Sequence, residues 1–192
     1  MSSTIAPRLR RTSLVYHTVM HQFTESLKSA ISTLFGPEGK PQTVVQPTAV
    51  ARNRHLIEDA VSKGATIIHG NHADDNVSTL SPFQLHPTVV QTVAPNMDLY
   101  QMESFGPTVS LIAVESDEQA IAISDDTEYG LSGAVFTQNL AKGLTLAKRI
   151  QTGVVHINSM SVHDEAGLPT AGLRAVDGVG LMPMRVLKSS YR

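Results

Sequence analysis

The sequence predicts an α/β fold in which a mainly parallel sheet is flanked by helices. The first observation is that short β-branched segments alternate with segments of helical period along the whole chain. The second is the segment 108–114, which is apolar enough for a strand covered on both faces. The third is composition, since 41% hydrophobic and 17% charged residues are typical of a folded domain with a core. The 192 residues suffice for one such domain.

The helices are predicted from apolar residues that recur every three or four positions. A first helix over 18–34 carries such a stripe, and a Gly- and Pro-rich cluster at 36–41 ends it. A second helix begins near Pro47 and stops before Gly64. Shorter helices are expected at 98–102, 117–124 and 140–150. The stripe residues of the first helix are Val19, Phe23, Leu27, Ala30, Ile31 and Leu34, and those of the last are Leu140, Leu144, Ala147 and Ile150.

The strands are predicted from short β-branched runs bounded by turn residues. In chain order they lie at 13–16, 65–69, 88–93, 108–114, 133–137 and 154–157, with a last candidate at 185–188. Residues 159–183 show no period and are expected to form a long loop.

Composition excludes several classes of function. The net charge of −2 gives no reason to expect a nucleic-acid partner. No stretch approaches the roughly 20 apolar residues of a membrane span, and no secretory signal is evident, so we predict a cytoplasmic protein. The chain has no cysteine, which excludes disulfides, thiolate metal sites and a cysteine nucleophile within these residues.

Two groups of histidines are candidates for binding a metal ion. His17 and His21 are four residues apart, but His17 is expected to precede the helix and no third ligand is evident. The second cluster lies in a polar segment that is expected to be an exposed loop, and its members are His69, His72, Asp74 and Asp75. Solvation explains the second cluster, and we predict no metal site at either one.

Three blocks carry a more specific signal. The first is an E-x-F-G-P motif at 103–107, and the second is D-T-x-Y-G-L at 126–131. The third is the run His156-Ile157-Asn158 followed by 162–165. Together with 57–70, these blocks resemble the C-terminal part of an aldehyde dehydrogenase, and the third is similar to the vanillin and salicylaldehyde dehydrogenases. The resemblance covers roughly residues 10–175.

The resemblance implies a role for several positions. Glu103 matches the carboxylate that holds a nicotinamide ribose, and Phe105 matches the aromatic residue beside the nicotinamide ring. Residues 159–168 match the wall of the aldehyde tunnel, and 185–188 match an oligomerisation strand. Three regions are therefore expected: a basic arm at 1–12, a catalytic-domain remnant at 13–158, and a substrate-loop segment with the final strand at 159–192.

The chain also departs from the family's pattern. The family's dinucleotide-binding domain and its nucleophilic cysteine are not in the sequence, so we expect no autonomous NAD-dependent oxidation and no bound cofactor. Glu103 and Phe105 are then vestigial as cofactor contacts.

Three interpretations remain open. The first is a cofactor-independent isomerase or cyclase acting on a carbonyl-containing small molecule. Its candidate acids and bases are His163, Asp164, Glu165 and Glu103, and its candidate substrate contacts are Phe105, Asn158, Met160, Val162 and Leu168. The second is a non-catalytic homodimer or a partner of a full-length dehydrogenase. The third is one half of a split dehydrogenase.

Overall fold

The computed structural model describes residues 12–36, 40–70 and 81–161. The strands among them are β1 (Thr12–Tyr16), β2 (Gln42–Thr43), β3 (Thr66–His69), β4 (Gln84–Leu85), β5 (Thr88–Gln91), β6 (Thr108–Val114), β7 (Ser132–Val135) and β8 (Val154–Ile157). The helices are α1 (His17–Phe35), α2 (Pro47–Ser62), α3 (Asp98–Gln101), α4 (Asp117–Asp125) and α5 (Leu140–Ala147). By its internal contacts the chain divides into two units, with residues 10–120 in the first and residues from 121 onward in the second.

The first unit is built on a four-stranded sheet in the order β1-β6-β5-β3. Strand β6 pairs in parallel with both β1 and β5, and only β3 runs antiparallel to its neighbour. The prediction of a mainly parallel sheet is therefore confirmed. The short antiparallel pair of β2 and β4 was not predicted, since two-residue strands leave no period to read.

The core of this unit lies between the sheet and helix α2. Leu111 of β6, Val90 of β5 and Leu56 of α2 have no exposed surface at all. Helix α2 begins with Pro47, whose fixed backbone angle and missing N–H suit a first helical position. Its buried residues are Val50, Asn53, Leu56 and Ala60. The polar member of that set, Asn53, becomes important for the site.

Helix α1 begins one residue earlier than predicted and exposes much of its apolar stripe. Its inward positions include Met20 and Thr24, whereas Val19, Phe23 and Leu34 are exposed, Leu34 to 75%. The boundary was missed because no side-chain cap marks it: Tyr16 ends β1 and His17 directly starts the helix. The expectation that His17 precedes the helix is therefore wrong, and His17 and His21 share one helical face.

The described part of the second unit centres on the parallel pair β7 and β8, over which α5 packs. Gly143 is the buried residue of α5, and a Cβ there would lie 2.8 Å from Cγ2 of Thr137. The side of the helix that carries Gly143 therefore packs on the strands, and Leu140 and Leu144 remain exposed. The predicted apolar side of this helix is therefore not its buried side, and the helix ends at Ala147 rather than at 150.

Across the described ranges, no helix is both long and apolar enough to span a membrane.

Candidate functional site

The E-x-F-G-P motif forms a tight turn between helix α3 and strand β6. Glu103 and Ser104 are each only 6% exposed, whereas Phe105 is 40% exposed. The backbone of Phe105 has φ +50°, in the left-handed region that a bulky residue rarely adopts. Such a conformation costs about 1–3 kcal/mol and persists only where the surroundings impose it. The turn is therefore held in place by its neighbours.

The neighbour that holds it is Asn53 of helix α2. The Asn53 side chain is completely buried. Its Nδ2 donates to the carbonyl of Ser104 and, at 2.7 Å, to the carbonyl of Ala49. Its Oδ1 accepts from the hydroxyl of Thr108 at 2.8 Å. One amide thus binds the turn and the first residue of β6 to α2.

Gly106 is required by the same contact. A Cβ on this residue would lie 2.6–2.8 Å from the side-chain amide of Asn53, closer than real Cβ contacts come. Because the approach is to a side chain that is itself hydrogen-bonded on both sides, the amide has little freedom to move away. The Glu103–Gly106 turn and Asn53 are therefore one packed unit.

A second side chain of α2 lies over the exposed part of the turn. The guanidinium carbon of Arg52 is 5.4 Å from the ring centre of Phe105, a distance typical of a cation–π contact. Phe105 thus presents an aromatic ring and an adjacent positive charge at the surface of the first unit.

The end of α2 is fixed to the helix that precedes the turn. Asp59 accepts from the backbone N–H of Asp98, the first residue of α3, at 2.8 Å and pairs with Lys63 at 2.6 Å. Lys63 also donates to the carbonyl of Asn96 at 2.7 Å. The hydrogen bond from Lys63, followed by the one from the Asp98 backbone, lowers the pKa of Asp59 below its ordinary value. Charged hydrogen bonds therefore hold α3 against α2.

Asn158 and Met160 belong to the second unit. Asn158 has φ +54°, and its side chain accepts from the N–H of Thr137 at 2.8 Å and donates to the carbonyl of Thr137 at 2.9 Å. These bonds join the residue after β8 to the second residue after β7. Met160 is exposed. Their predicted role as substrate contacts stays a prediction.

The remaining sequence-predicted candidates lie outside the described residues. They are Val162, His163, Asp164, Glu165 and Leu168, together with His72 and Asp74 of the second histidine cluster and Asp75 beside them. The final strand predicted at 185–188 also lies there. Among the residues that are described, no three His, Asp or Glu side chains are grouped so as to hold a metal.

The block 125–131 has a structural role in the second unit. Asp125 accepts from the backbone N–H of Gln151 at 2.9 Å, and Thr127 accepts from the N–H of Tyr129 at 3.2 Å. The carbonyl of Gly130 accepts from Gly153 at 2.9 Å, which starts the pairing of β7 with β8. The positions of Asp125, Thr127 and Gly130 in the sequence are therefore explained by the turns that these contacts stabilise before β7 and β8.

Sequence reasoning missed Asn53 and Arg52. A signal for Asn53 was available, since it is a polar residue three positions from Val50 and from Leu56 on the apolar stripe of α2. Buried amides need partners, so a polar residue on such a stripe indicates a specific contact. Arg52 gave no signal, because an exposed arginine on a helix is ordinary.

The comparisons with known proteins agree with the turn motif. The profile described as "Aldehyde dehydrogenase family" matches residues 9–180. The chain belongs to the aldehyde dehydrogenase family. It is 35% identical over 162 residues to a vanillin dehydrogenase of Pseudomonas fluorescens, covering 82% of this chain and 32% of that protein. It is 32% identical over 167 residues to a benzaldehyde dehydrogenase of Pseudomonas putida, covering 84% of this chain and 33% of that one.

Solved structures of this family match the fold as well. A salicylaldehyde dehydrogenase from Pseudomonas putida G7, complexed with salicylaldehyde, superposes with a TM-score of 0.76 at 28% identity. The match covers 85% of this chain and 34% of that one. The chain therefore spans about a third of the length of the aldehyde dehydrogenases it matches.

A nicotinamide dinucleotide is the cofactor that this family implies, and one solved relative, from Bacillus halodurans C-125, is a complex with NADP. Glu103 and Phe105 are the residues here that would meet it. The sequence has no G-x-G-x-x-G pattern for a pyrophosphate. The described residues alone therefore provide no pyrophosphate site, so they do not fit a whole dinucleotide.

Proposed function

We propose that this chain is a cofactor-independent enzyme that isomerises or cyclises a carbonyl-containing small molecule at the Glu103–Gly106 turn. The observation that supports it most is the left-handed backbone of Phe105, imposed by Asn53 and Gly106. Strain of this kind clusters at ligand sites, where it holds a side chain in position before the ligand arrives. Here it holds an exposed aromatic ring two residues after the buried Glu103.

The proposed chemistry is transfer of a proton within one substrate. Glu103 accepts a proton from the carbon next to the carbonyl, and the C–H electron pair shifts toward the carbonyl oxygen to form an enolate. The protonated Glu103 then returns the proton to another atom of the same molecule, which gives an isomer. In the cyclisation, the enolate carbon bonds to a second carbonyl carbon of the substrate, and the proton goes to the oxygen of that carbonyl. No electrons leave the substrate, so neither an oxidant nor the thiol that these 192 residues lack is needed.

The substrate class follows from two supports. Phe105 offers a ring face to a planar molecule. The relatives are named for vanillin, benzaldehyde and salicylaldehyde, so an aromatic compound is the first class to test, provided that its carbonyl has a neighbouring C–H, which enolate formation requires. Phe105, Asn158, Met160, Val162 and Leu168 remain proposed substrate contacts, and His163, Asp164 and Glu165 remain proposed acids and bases beside Glu103.

The test is mass spectrometry of a metabolite extract from the source organism, incubated with the purified chain and no added cofactor. The proposal expects one compound to disappear while another of equal mass appears. Glu103→Gln should slow that conversion about a hundredfold or more. Glu58→Gln, which neutralises an exposed carboxylate on α2, is the matched control and should leave it unchanged.

Two results would overturn the proposal. One is an extract in which no equal-mass pair appears. The other is a conversion that survives Glu103→Gln and alanine at each of His163, Asp164 and Glu165. Circular dichroism establishes that each variant is folded. Glu103→Asp keeps the carboxylate but shortens the side chain by one methylene group, so its rate of conversion should lie between those of the wild type and Glu103→Gln.

A second function, as a non-catalytic partner, is favoured by the outer face of α1, meaning its exposed residues Val19, Phe23 and Leu34. Apolar side chains grouped on one surface often mark an interface. Such a chain would form a homodimer or bind a full-length dehydrogenase, as a split half also would. Light scattering of the purified chain and its mixture with a full-length relative distinguishes these cases: a monomer that binds no relative contradicts both.

A further inference from the structure

Arg52 lies over Phe105 at the surface of the first unit and has no role in the proposed proton transfer. The guanidinium lies 5.4 Å from the ring centre, and Arg52 is exposed. Asn53 follows Arg52 on α2, and its side chain donates a hydrogen bond to the carbonyl of Ser104, the residue before Phe105. This hydrogen bond links the two backbone segments that carry Arg52 and Phe105. The pair is thus a preformed arrangement of a planar cation above a ring.

Within the described ranges, no carboxylate pairs with Arg52. Two acidic side chains of α2 and α3 have other partners: Asp59 binds Lys63 at 2.6 Å, and Asp98 lies 3.7 Å from His55. Contact with a ring occupies the face of a guanidinium and leaves its N–H groups, which point outward in the plane, available. Those N–H groups match the two oxygens of a carboxylate, which they bind in parallel.

We propose that Arg52 is a specificity-determining residue that selects substrates carrying a carboxylate. The carboxylate binds the N–H edge of the guanidinium, while the rest of the planar molecule lies along Phe105 toward Glu103. This inference rests on the proposed function, because it names the substrate class for the same turn.

The experiment is isothermal titration calorimetry of the full 192-residue chain with two probes that differ in charge. 4-Formylbenzoate carries an aldehyde and a carboxylate, and methyl 4-formylbenzoate carries the same aldehyde with the charge removed. The wild type should bind the carboxylate at least about tenfold more tightly, as charge-assisted bidentate bonding implies. The difference should shrink as salt is added.

Three variants sharpen the test. Arg52→Met keeps the aliphatic stem and should bring the two probes to equal affinity. Arg52→Lys keeps the charge but loses the planar fork, so it should retain only part of the preference. Arg54→Met removes the same charge two positions along α2 and should keep the wild-type preference.

The outcomes separate this inference from the function on which it rests. If the wild type binds both probes equally and Arg52→Met changes neither, the role of Arg52 is overturned while the site remains. If the wild type binds neither probe, both the inference and the proposed aromatic substrate class are contradicted. Should Arg52→Met fail to fold by circular dichroism, Arg52→Lys and the comparison of probes on the wild type still decide the matter.

Discussion

Helices α1 and α2 look alike in sequence but differ in what covers them. Each carries apolar residues at helical spacing. In α2 the stripe is buried, with Leu56 and Ala60 at 0% exposure. In α1 the row through Val19, Phe23 and Leu34 is exposed, and the inward row begins with Met20 and Thr24. Period alone therefore predicts a helix and its apolar side, but not which elements lie against that side.

The difference has a functional counterpart. The buried stripe of α2 includes Asn53, whose amide organises the Glu103–Gly106 turn, and it places Arg52 over Phe105. The exposed apolar residues on the outer face of α1 hold no site in position within the described residues. They are the observation that favours the non-catalytic function as a binding partner. Within the described residues, the turn held by Asn53 and the exposed apolar face of α1 therefore call for different tests.

The largest expected contrast in stability is between one leucine on each helix. Leu56→Ala should lower the free energy of unfolding by about 2–5 kcal/mol, because it leaves a cavity in a closed core. Leu34→Ala, the same change on the outer face of α1, should alter it by less than about 0.5 kcal/mol. Urea denaturation measures both. Equal losses would show that another part of the protein covers α1.

The next largest effect is expected from the contact between Asn53 and Gly106. Asn53→Ala should cost about 1–3 kcal/mol, since the Ser104 carbonyl and the Thr108 hydroxyl lose their partner. Gly106→Ala should also destabilise the fold, because its Cβ meets the Asn53 amide. The double variant should lose less than the sum, by about 0.5–3 kcal/mol of coupling. Simple additivity in urea denaturation would mean that the two residues are not one packed unit.

A smaller, pH-dependent effect is expected where α2 meets α3. The pKa of Asp59 is lower in the folded chain than in the unfolded chain, chiefly through Lys63. Its contribution to stability is therefore complete above the unfolded pKa and is lost as the pH falls through the folded pKa. Asp59→Asn should be less stable than the wild type at pH 7, and the difference should start to shrink as the pH falls below roughly 4 and vanish only below the folded pKa. A difference that is constant with pH in thermal unfolding would contradict this.

The smallest effect on stability is expected from polar substitutions on the outer face of α1. Phe23→Gln should leave the free energy of unfolding within about 0.5 kcal/mol of the wild type, since its ring is already partly in water. If this face is an interface, the same change should reduce association measured by light scattering. An unchanged association state in both proteins would remove the support for a partner on this face.

Much of the first unit could be predicted from sequence because local signals agree there. The strand 108–114 was predicted with its bounds as observed, and Pro47 and Gly64 mark the limits of α2 within two residues. The start of α1 could not be predicted, since His17 follows a strand with no capping side chain. The exposed side of α5 was missed because Gly143, rather than a leucine, makes its closest approach to the strands.

The site was predicted in part. Glu103 and Phe105 were identified by their motif, but the left-handed backbone of Phe105 and its cause were not, because they depend on a contact 51 residues apart in sequence between Asn53 and Ser104. A contact between residues so far apart cannot be predicted from a short stretch of sequence. The candidates at 162–168 lie outside the described residues, so their roles stay predictions.

The most direct test of the central claim, that the turn held by Asn53 is the ligand site, is an amide NMR titration of the isotope-labelled chain with neutral benzaldehyde. A neutral probe tests the turn independently of Arg52. We expect shift changes in residues 103–106 and 52–54, and their loss in Asn53→Ala. Shift changes confined to the outer face of α1, or none at saturating benzaldehyde, would contradict the claim.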